Sequence, residues 1–532
     1  MLVDEPFRYQ ITEFDREVFA KLLPDDHPLV KVEEEIDWDE FRNVLENYYC
    51  RDRGQPAIDP LRMLKLEFLK YQYNLSDQQV MQRAATDLAF RYFLQVGFTF
   101  ATPNVSSLSR FRSRLGEEGF GKIFDLLVAQ ARQAGLVRDR LRLKDASHVV
   151  ANIAVKNTLT LVAQIRDRLL KDAMPFDAEW ATGQQIEVNL LRGRTKDQAD
   201  ESRLANRVTH LRELVDWVEQ LLIPDALQTN GLDSGTASTW DKLQQTVVLA
   251  RKILQDRDQP TAGRKTLSVS DPEARRGKHG VFYEGYLTDI LMDGDSEIIT
   301  QINVLEAGGD EARDAVQMVR AEQAAHENQI EKLSIDGVGF NGEMLCALEG
   351  EADNEDDNGL GVKTFVPPKT EPATNRFTSA DFTMDEDATA VTCPAGETSQ
   401  YRQRDTGRNA TIFRFTREQC DGCPLQQQCV AKPHEGAFGR SVTKNDFASE
   451  YQRARDRAKT SEFASVRREH PAVERKLNEI LNHHGGRRAR YWGRAKVHVQ
   501  QLMTGFVVNA KRIVTLVASK RPESAMSVNC DL

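Results

Sequence analysis

At 532 residues the chain exceeds what one hydrophobic core usually organises, so two or three domains are expected. Its 40% apolar and 29% charged residues describe a soluble globular protein, and no window approaches the roughly 18 uninterrupted apolar residues of a membrane helix. Seven cysteines are too few for a disulfide scaffold and point to a reducing cytoplasm; the formal charge of −10 argues mildly against nucleic acid, although net charge hides its distribution.

Residues 1–50 hold 14 Asp/Glu against 5 Lys/Arg, and the first ten lack the apolar centre of a signal peptide. Residues 12–50 read as acidic amphipathic helices. In 54-GQPAIDPLRMLKLEFLKYQYNLSDQQV-80, Pro60 suits a first helical turn, and Leu61, Leu64, Leu66 and Leu69 supply an apolar face. Ser76 is a good N-cap for the next helix. A helix carrying Leu108, Phe111 and Leu115 and another over 120–135 complete an all-helical domain at 1–138.

The stretch 141-LRLKDASHVVAN-152 alternates like a strand, yet carries the carboxylate Asp145 where a core strand would want Val. Residues from about 155 to 265 read as a helical insertion, with a helical hairpin as one arrangement. The run 279–305 places aromatic and β-branched residues on both sides of Asp293-Gly294, a hairpin signal. A helix with Ala312, Ala315, Val316 and Val319 on one face follows. A short strand, Leu333 to Ile335, then ends on Asp336 before glycines and another helix. An acidic run at 349–357 reads as an exposed loop or linker. Residues 351–465 form a polar insertion with four cysteines, and helices at 471–484 and 496–518 close the chain.

That order is the grammar of a mixed sheet with flanking helices, an α/β core over 139–350 completed by 466–520. Two carboxylates on neighbouring strands recruit a cation or raise a pKa, and a hard divalent ion held by oxygens resolves the conflict. A third ligand is expected from the last helices. Val473, Leu477, Ile480 and Leu481 define a buried face, and Glu474 lies on its flank. Glu479 projects roughly opposite, towards solvent, and Glu469 precedes the helix.

Residues 467–512 hold 11 Lys/Arg against 3 Asp/Glu, and 487-RRARYWGRAKVHVQ-500 interleaves Arg with Tyr491 and Trp492. Arg487, Arg488, Arg490, Arg494 and Lys496 are candidate DNA contacts, which would be sequence-independent and salt-sensitive. Arg110, Arg112 and Arg114 form a second basic set. Cys393, Cys420, Cys423 and Cys429 combine a CxxC with a third cysteine six residues on and a fourth upstream. They can make a closed structural zinc site, with free buried thiols as the alternative.

These segments together resemble bacterial and archaeal insertion-sequence transposases of the DDE class, which share the RNase H-like fold with retroviral integrases. GQPAIDPLRMLKLEFLKYQYNLSDQQV and 92-YFLQVGFTFATPNVSSLSRFRSRLG-116 are similar to the N-terminal helical domain. KDASHVVAN and SIDGVGFNGEML resemble the two aspartate strands, and residues 472–513 resemble the glutamate helix with its basic tail. The resemblance implies a triad of Asp145, Asp336 and Glu474 holding two Mg²⁺ or Mn²⁺ ions for phosphoryl transfer. It implies double-stranded DNA as partner (terminal inverted repeats and target), a homodimer on DNA, no membrane, and a nucleoid-associated place in a prokaryotic cytoplasm. Where relatives often carry Arg four residues before the glutamate and Lys seven after, this chain has His470 and Leu481. A metal-dependent nuclease without strand transfer and an inactive DNA-binding descendant are the other readings.

Overall fold

The computed structural model describes residues 11–50, 56–222, 234–259, 264–350, 359–369, 376–385, 388–399, 401–430 and 436–520. The first ten residues and most of the acidic run at 349–357 lie outside them.

Seven helices open the chain: α1 (Glu13–Leu22), α2 (Pro28–Glu35), α3 (Asp39–Glu46), α4 (Pro60–Gln72), α5 (Asp77–Thr86), α6 (Leu88–Phe93) and α7 (Ser106–Gln133). Pro60 sits in the first turn of α4. Ser76 caps α5 through a capping box with Gln79. The two helices expected after residue 105 are both present within α7, separated by a kink at Gly116, whose φ of 60° only glycine adopts without strain.

The strand at 141–152 is β1 (Arg142–Val150). The insertion is not a hairpin; among the described residues it holds four α-helices, α8 (Thr158–Ala173), α9 (Ala178–Arg194), α10 (Asp200–Trp217) and α11 (Ser234–Asp258). They build a small core of their own around Ile165, Leu169, Leu211, Val215 and Leu243. Then come β2 (Arg275–His279), β3 (Val281–Asp293), β4 (Ile299–Glu306), α12 (Glu311–His326), β5 (Lys332–Ser334), α13 (Gly342–Glu349) and β6 (Lys363–Phe365).

β1 is the pivot of the sheet. It runs antiparallel to β3 and parallel to β5, which pairs in parallel with β6; β2 and β4 add to β3. Asp293 begins the β3–β4 turn as expected, but the turn is longer than two residues: Asp293 accepts from the Ser296 N–H and hydroxyl, and Glu297 takes the left-handed conformation.

Two sheets fill the polar insertion, β7 (Thr383–Met384), β8 (Val391–Thr392), β9 (Thr398–Ser399), and β10 (Tyr401–Asp405), β11 (Ala410–Thr416), β12 (Phe438–Asn445). Two single-turn helices, α14 (Arg417–Cys420) and α15 (Gln426–Cys429), lie between β11 and β12. The chain ends in α16 (Ala448–Ala458), α17 (Ser461–Glu469), α18 (Pro471–Asn478) and α19 (Arg494–Lys520).

Period-two alternation gives β1 two faces. Arg142, Lys144 and Ala146 look towards α12 and α13, where Leu291, Leu333, Ile335, Val319 and Leu345 form one core. Leu143, Asp145 and Ser147 look the other way, towards α18, α19 and the N-terminal helices. On that side α19 is threaded through the protein. Phe506 meets Trp38, Phe41 and Phe68, and Asn509 exchanges two hydrogen bonds with Ile299 of β4. α19 is long and apolar enough to cross a membrane by length and composition, but it is mostly buried here. One continuous core therefore joins the N-terminal helices to the sheet.

Candidate active site

β1 places Asp145 at the middle of the central strand, half-buried. In the parallel ladder Leu143 pairs with Ser334. Two residues on, Asp336 therefore emerges level with Asp145, from the carboxyl end of β5 and on the same face. Asp336 leaves the strand as the cap of a single 3-10 turn, its carboxylate accepting from the Val338 N–H. α18 packs on β1 and β3 and carries Glu474, exposed, in its first turn.

The three acids sense one another. Burial pushes the Asp145 carboxyl up to about 7 against the hydrogen bond from the Ala146 N–H, and the charges of Asp336 and Glu474 push it the same way. Asp145, Asp336 and Glu474 thus share one electrostatic neighbourhood. Glu479 is drawn instead to Lys476 at 3.0 Å and Lys511 at 3.6 Å, and Glu469, at the end of α17 and before α18 as expected, to Arg140 at 2.7 Å.

Arg467 on α17 escaped the sequence reading. It donates to the Ile335 carbonyl at 2.9 Å and the Ser334 hydroxyl at 3.2 Å, pinning the end of β5 just before Asp336. Burial lowers its pKa, while Asp336, Glu474 and Asp145 all act to hold its charge. His470 lies on the other side of the Ser334 hydroxyl, 3.1 Å away; burial and then Arg467 push its pKa down to about 4, so it is neutral. The only sequence signal for Arg467 was its position two turns before Glu474, which needs the helix break at Pro471 to be placed in space.

The donor set is three carboxylates, oxygen alone, which suits Mg²⁺ or Mn²⁺. Among the described residues no three His, Cys, Asp or Glu donors stand at ion-binding spacing. Glu474, exposed and on a long side chain, is the acid of the three with room to move.

The basic tail lies at the far end of the same strand. The Val150 N–H donates to the Arg487 carbonyl at 2.8 Å, and the Ala489 N–H to the Val150 carbonyl at 2.9 Å, so the tail pairs in parallel alongside the end of β1. Arg487 donates to Ser147 Oγ at 3.0 Å and the His148 carbonyl at 2.7 Å, two residues from Asp145 on its own face. Between tail and α5 runs a cleft of about 1010 Å³ lined by Ser76, Asn152, Arg487, Arg488 and Tyr491 among others. Arg488, Lys496 and Trp492 are exposed.

Other members of the two basic sets face inward. Arg112 is ion-paired with Glu67 and, at 2.5 Å, with Asp77. Arg490 donates to the Leu75 carbonyl and Asn74, and Arg494 reaches Glu117 at 3.5 Å. Arg114 is exposed, with its guanidinium 4.2 Å above the Tyr49 ring, and Arg110 is exposed beside Ser106. These inward contacts tie the tail to the N-terminal helices. The four cysteines meet elsewhere, in the lobe of β7–β12.

Residues 17–114 match a family described as a transposase domain (DUF772), and residues 392–514 match a transposase DDE domain. The second match includes Glu474, the basic tail and all four cysteines; Asp145 and Asp336 precede it. A curated protein of Rhizobium meliloti, an uncharacterized protein ORF8 in the nfe locus, is 30% identical over 114 residues, 21% of this chain and 54% of that protein. The chain thus spans about half the length of that relative. No solved structure matches the chain. The chain thus pairs an N-terminal region similar to the DUF772 transposase domain with a C-terminal region similar to a transposase DDE domain.

Proposed function

We propose that this protein cuts DNA at the terminal inverted repeats of an insertion sequence and joins the freed 3′-hydroxyl ends to target DNA. The single observation that carries this reading is the convergence of Asp145, Asp336 and Glu474 over one face of the sheet, where burial and then the charges of Asp336 and Glu474 raise the Asp145 carboxyl. A strand order with β1 antiparallel to β3 and parallel to β5 supports an RNase H-like core.

Asp145, Asp336 and Glu474 would hold the divalent ions. Bound there, a pair of Mg²⁺ or Mn²⁺ ions supplies Lewis-acid stabilisation of the attacking and leaving oxygens in an in-line displacement. The chain's own part is orientation. Arg467 fixes the strand end that presents Asp336, and Arg487 fixes Ser147 beside Asp145. Arg488 and Lys496 offer exposed positive charge to the DNA backbone. Two ends joined in one reaction favour a homodimer on DNA, in a prokaryotic cytoplasm.

The test is a supercoiled plasmid carrying the gene with its native flanks, incubated with purified protein and Mg²⁺, every nick being mapped. Paired nicks at the ends of an inverted repeat, lost in Asp145→Asn, are expected. Scattered nicks lost in the same variant would favour a nuclease without strand transfer. Wild-type protein that binds the repeat but never nicks it would favour an inactive descendant.

A further inference from the structure

The lobe of β7–β12 has an unusually small apolar centre. Among the described residues its hydrophobic cluster is Phe382, Val391, Phe413, Phe415 and Val442, with Phe377, Cys393, Cys420 and Cys429 packed against them. Five side chains are few for two three-stranded sheets, and modules this small usually need a cross-link. Disulfides do not supply it: all four cysteines of the lobe are free.

Cys393, Cys420, Cys423 and Cys429 all line one hollow of about 30 Å³, room for a single small ion. They arrive from separate pieces of chain. Cys420 and Cys423 flank a tight turn in which Gly422 has φ 77° and the Cys423 N–H donates to the Cys420 carbonyl at 3.3 Å. Cys393 opens a second turn of similar build, closed by the Gly396 N–H on the Cys393 carbonyl at 2.9 Å, with Gly396 at φ 90°. Cys429 ends α15.

The surroundings are shaped to the sulfurs. A Cβ at Gly439 would stand 2.6 Å from Cys420 Sγ, so only glycine lets the β12 backbone approach. The Arg440 N–H then donates to that sulfur at 3.5 Å. The Arg440 side chain lines the same hollow. It is tied to the Phe377 carbonyl at 3.0 Å, but its Nε is buried without a hydrogen-bond partner. A half-buried cation beside four thiols is the arrangement expected where thiolates are to be held. Burial raises the Cys429 thiol, Arg440 pulls it back down, and the other three sulfurs push it up, which places all four in one electrostatic group.

We propose that Cys393, Cys420, Cys423 and Cys429 bind one structural Zn²⁺ that clasps the two sheets of this lobe, with Arg440 as its counter-cation. Each thiol releases its proton to solvent on binding. Four thiolates and one Zn²⁺ leave a net charge of about −2, of which Arg440 offsets one. A tetrahedral site with Zn–S near 2.3 Å needs sulfurs about 3.8 Å apart. No three donors among the described residues are that close around a common point, so the ion draws the side chains inward by rotation. The site is closed and remote in role from the carboxylates, which offer oxygen only.

The test uses the full-length chain, stripped with chelator under reducing conditions and titrated with Co²⁺ and then Zn²⁺. One Co²⁺ per chain is expected, with the near-ultraviolet charge-transfer band of cobalt–thiolate bonds and the visible bands of a tetrahedral ion, both abolished by Zn²⁺. Cys423→Ser and Cys429→Ser should each remove most of the charge-transfer intensity. Arg440→Met should keep the spectrum but weaken binding by about tenfold. Should the serine variants not fold, the wild-type spectrum alone decides. A wild-type chain giving no charge-transfer band, or retaining full intensity in Cys423→Ser, would overturn the proposal, as would a disulfide among these four cysteines in the protein as isolated.

Discussion

Neighbouring residues of β1 present opposite electrostatics on the two faces of the sheet. On the α12 face Arg142 is fully buried and meets Asp293 at 2.8 Å and Glu322 at 2.6 Å, with Arg132 adding a second cation to Glu322. Lys144 on the same face is paired with Asp289 at 2.5 Å. Each cation there has a carboxylate partner, although the Asp289 carboxyl, pushed up by burial, is pushed further by the neighbouring Asp314. One residue further on, the other face collects three carboxylates beside Arg467, with Arg487 further along at Ser147. The first arrangement is closed, and completing it stabilises the fold. The second is left negative, and completing it needs something from outside.

Breaking the closed network should have the largest effect. Glu322→Gln leaves Arg142 and Arg132 short of a counter-charge, and should cost about 3–5 kcal/mol in denaturant unfolding. Asp145→Asn should do the reverse, keeping the fold while lowering plasmid nicking by roughly 10³-fold, about 4 kcal/mol in the barrier. A variant that unfolded instead would place Asp145 with the structural charges.

The pH dependence sharpens the contrast. The folded Asp145 carboxyl titrates at about 7, above its ordinary value of 3.8, so ionising it disfavours the fold. Its contribution is fully present below pH 4 and is lost as pH rises through 7. In chelator, Asp145→Asn should therefore match wild type near pH 4 and exceed it at pH 8, by on the order of 2–4 kcal/mol in thermal or urea unfolding. Added Mg²⁺ should close that gap by stabilising the wild type alone. A gap that did not change with pH would show that Asp145 is not ionised against its neighbours.

The smallest effect is expected at Arg467. Arg467→Gln should slow nicking by about 10–100-fold with little loss of stability, and raise the Mg²⁺ concentration needed for half-maximal rate. Equal losses in rate and stability, with no change in Mg²⁺ dependence, would make it a packing residue.

Much of this was legible in the chain. Asp145 stood out because a carboxylate interrupts an apolar strand, Asp336 because a strand ends on it before glycines, and Glu474 because helical periodicity puts it beside a buried face. What remained hidden depends on contacts distant in sequence. Arg112 reads as a free basic residue, yet its partners Glu67 and Asp77 lie on α4 and α5. Arg467 reads as one of a charged run, and only the register of β5 makes it a neighbour of Asp336. The four-helix insertion was legible as helices but not in number, since polar helices with little periodicity leave their boundaries to tertiary packing.

The central claim is that three separate carboxylates hold the same ions. Anomalous diffraction from a crystal of the full-length protein with Mn²⁺, bound to an inverted-repeat end, tests it most directly. The account expects manganese peaks ligated by Asp145, Asp336 and Glu474 together, beside a phosphodiester. Manganese bound elsewhere, or held by the aspartates while Glu474 stays in solvent, would contradict it.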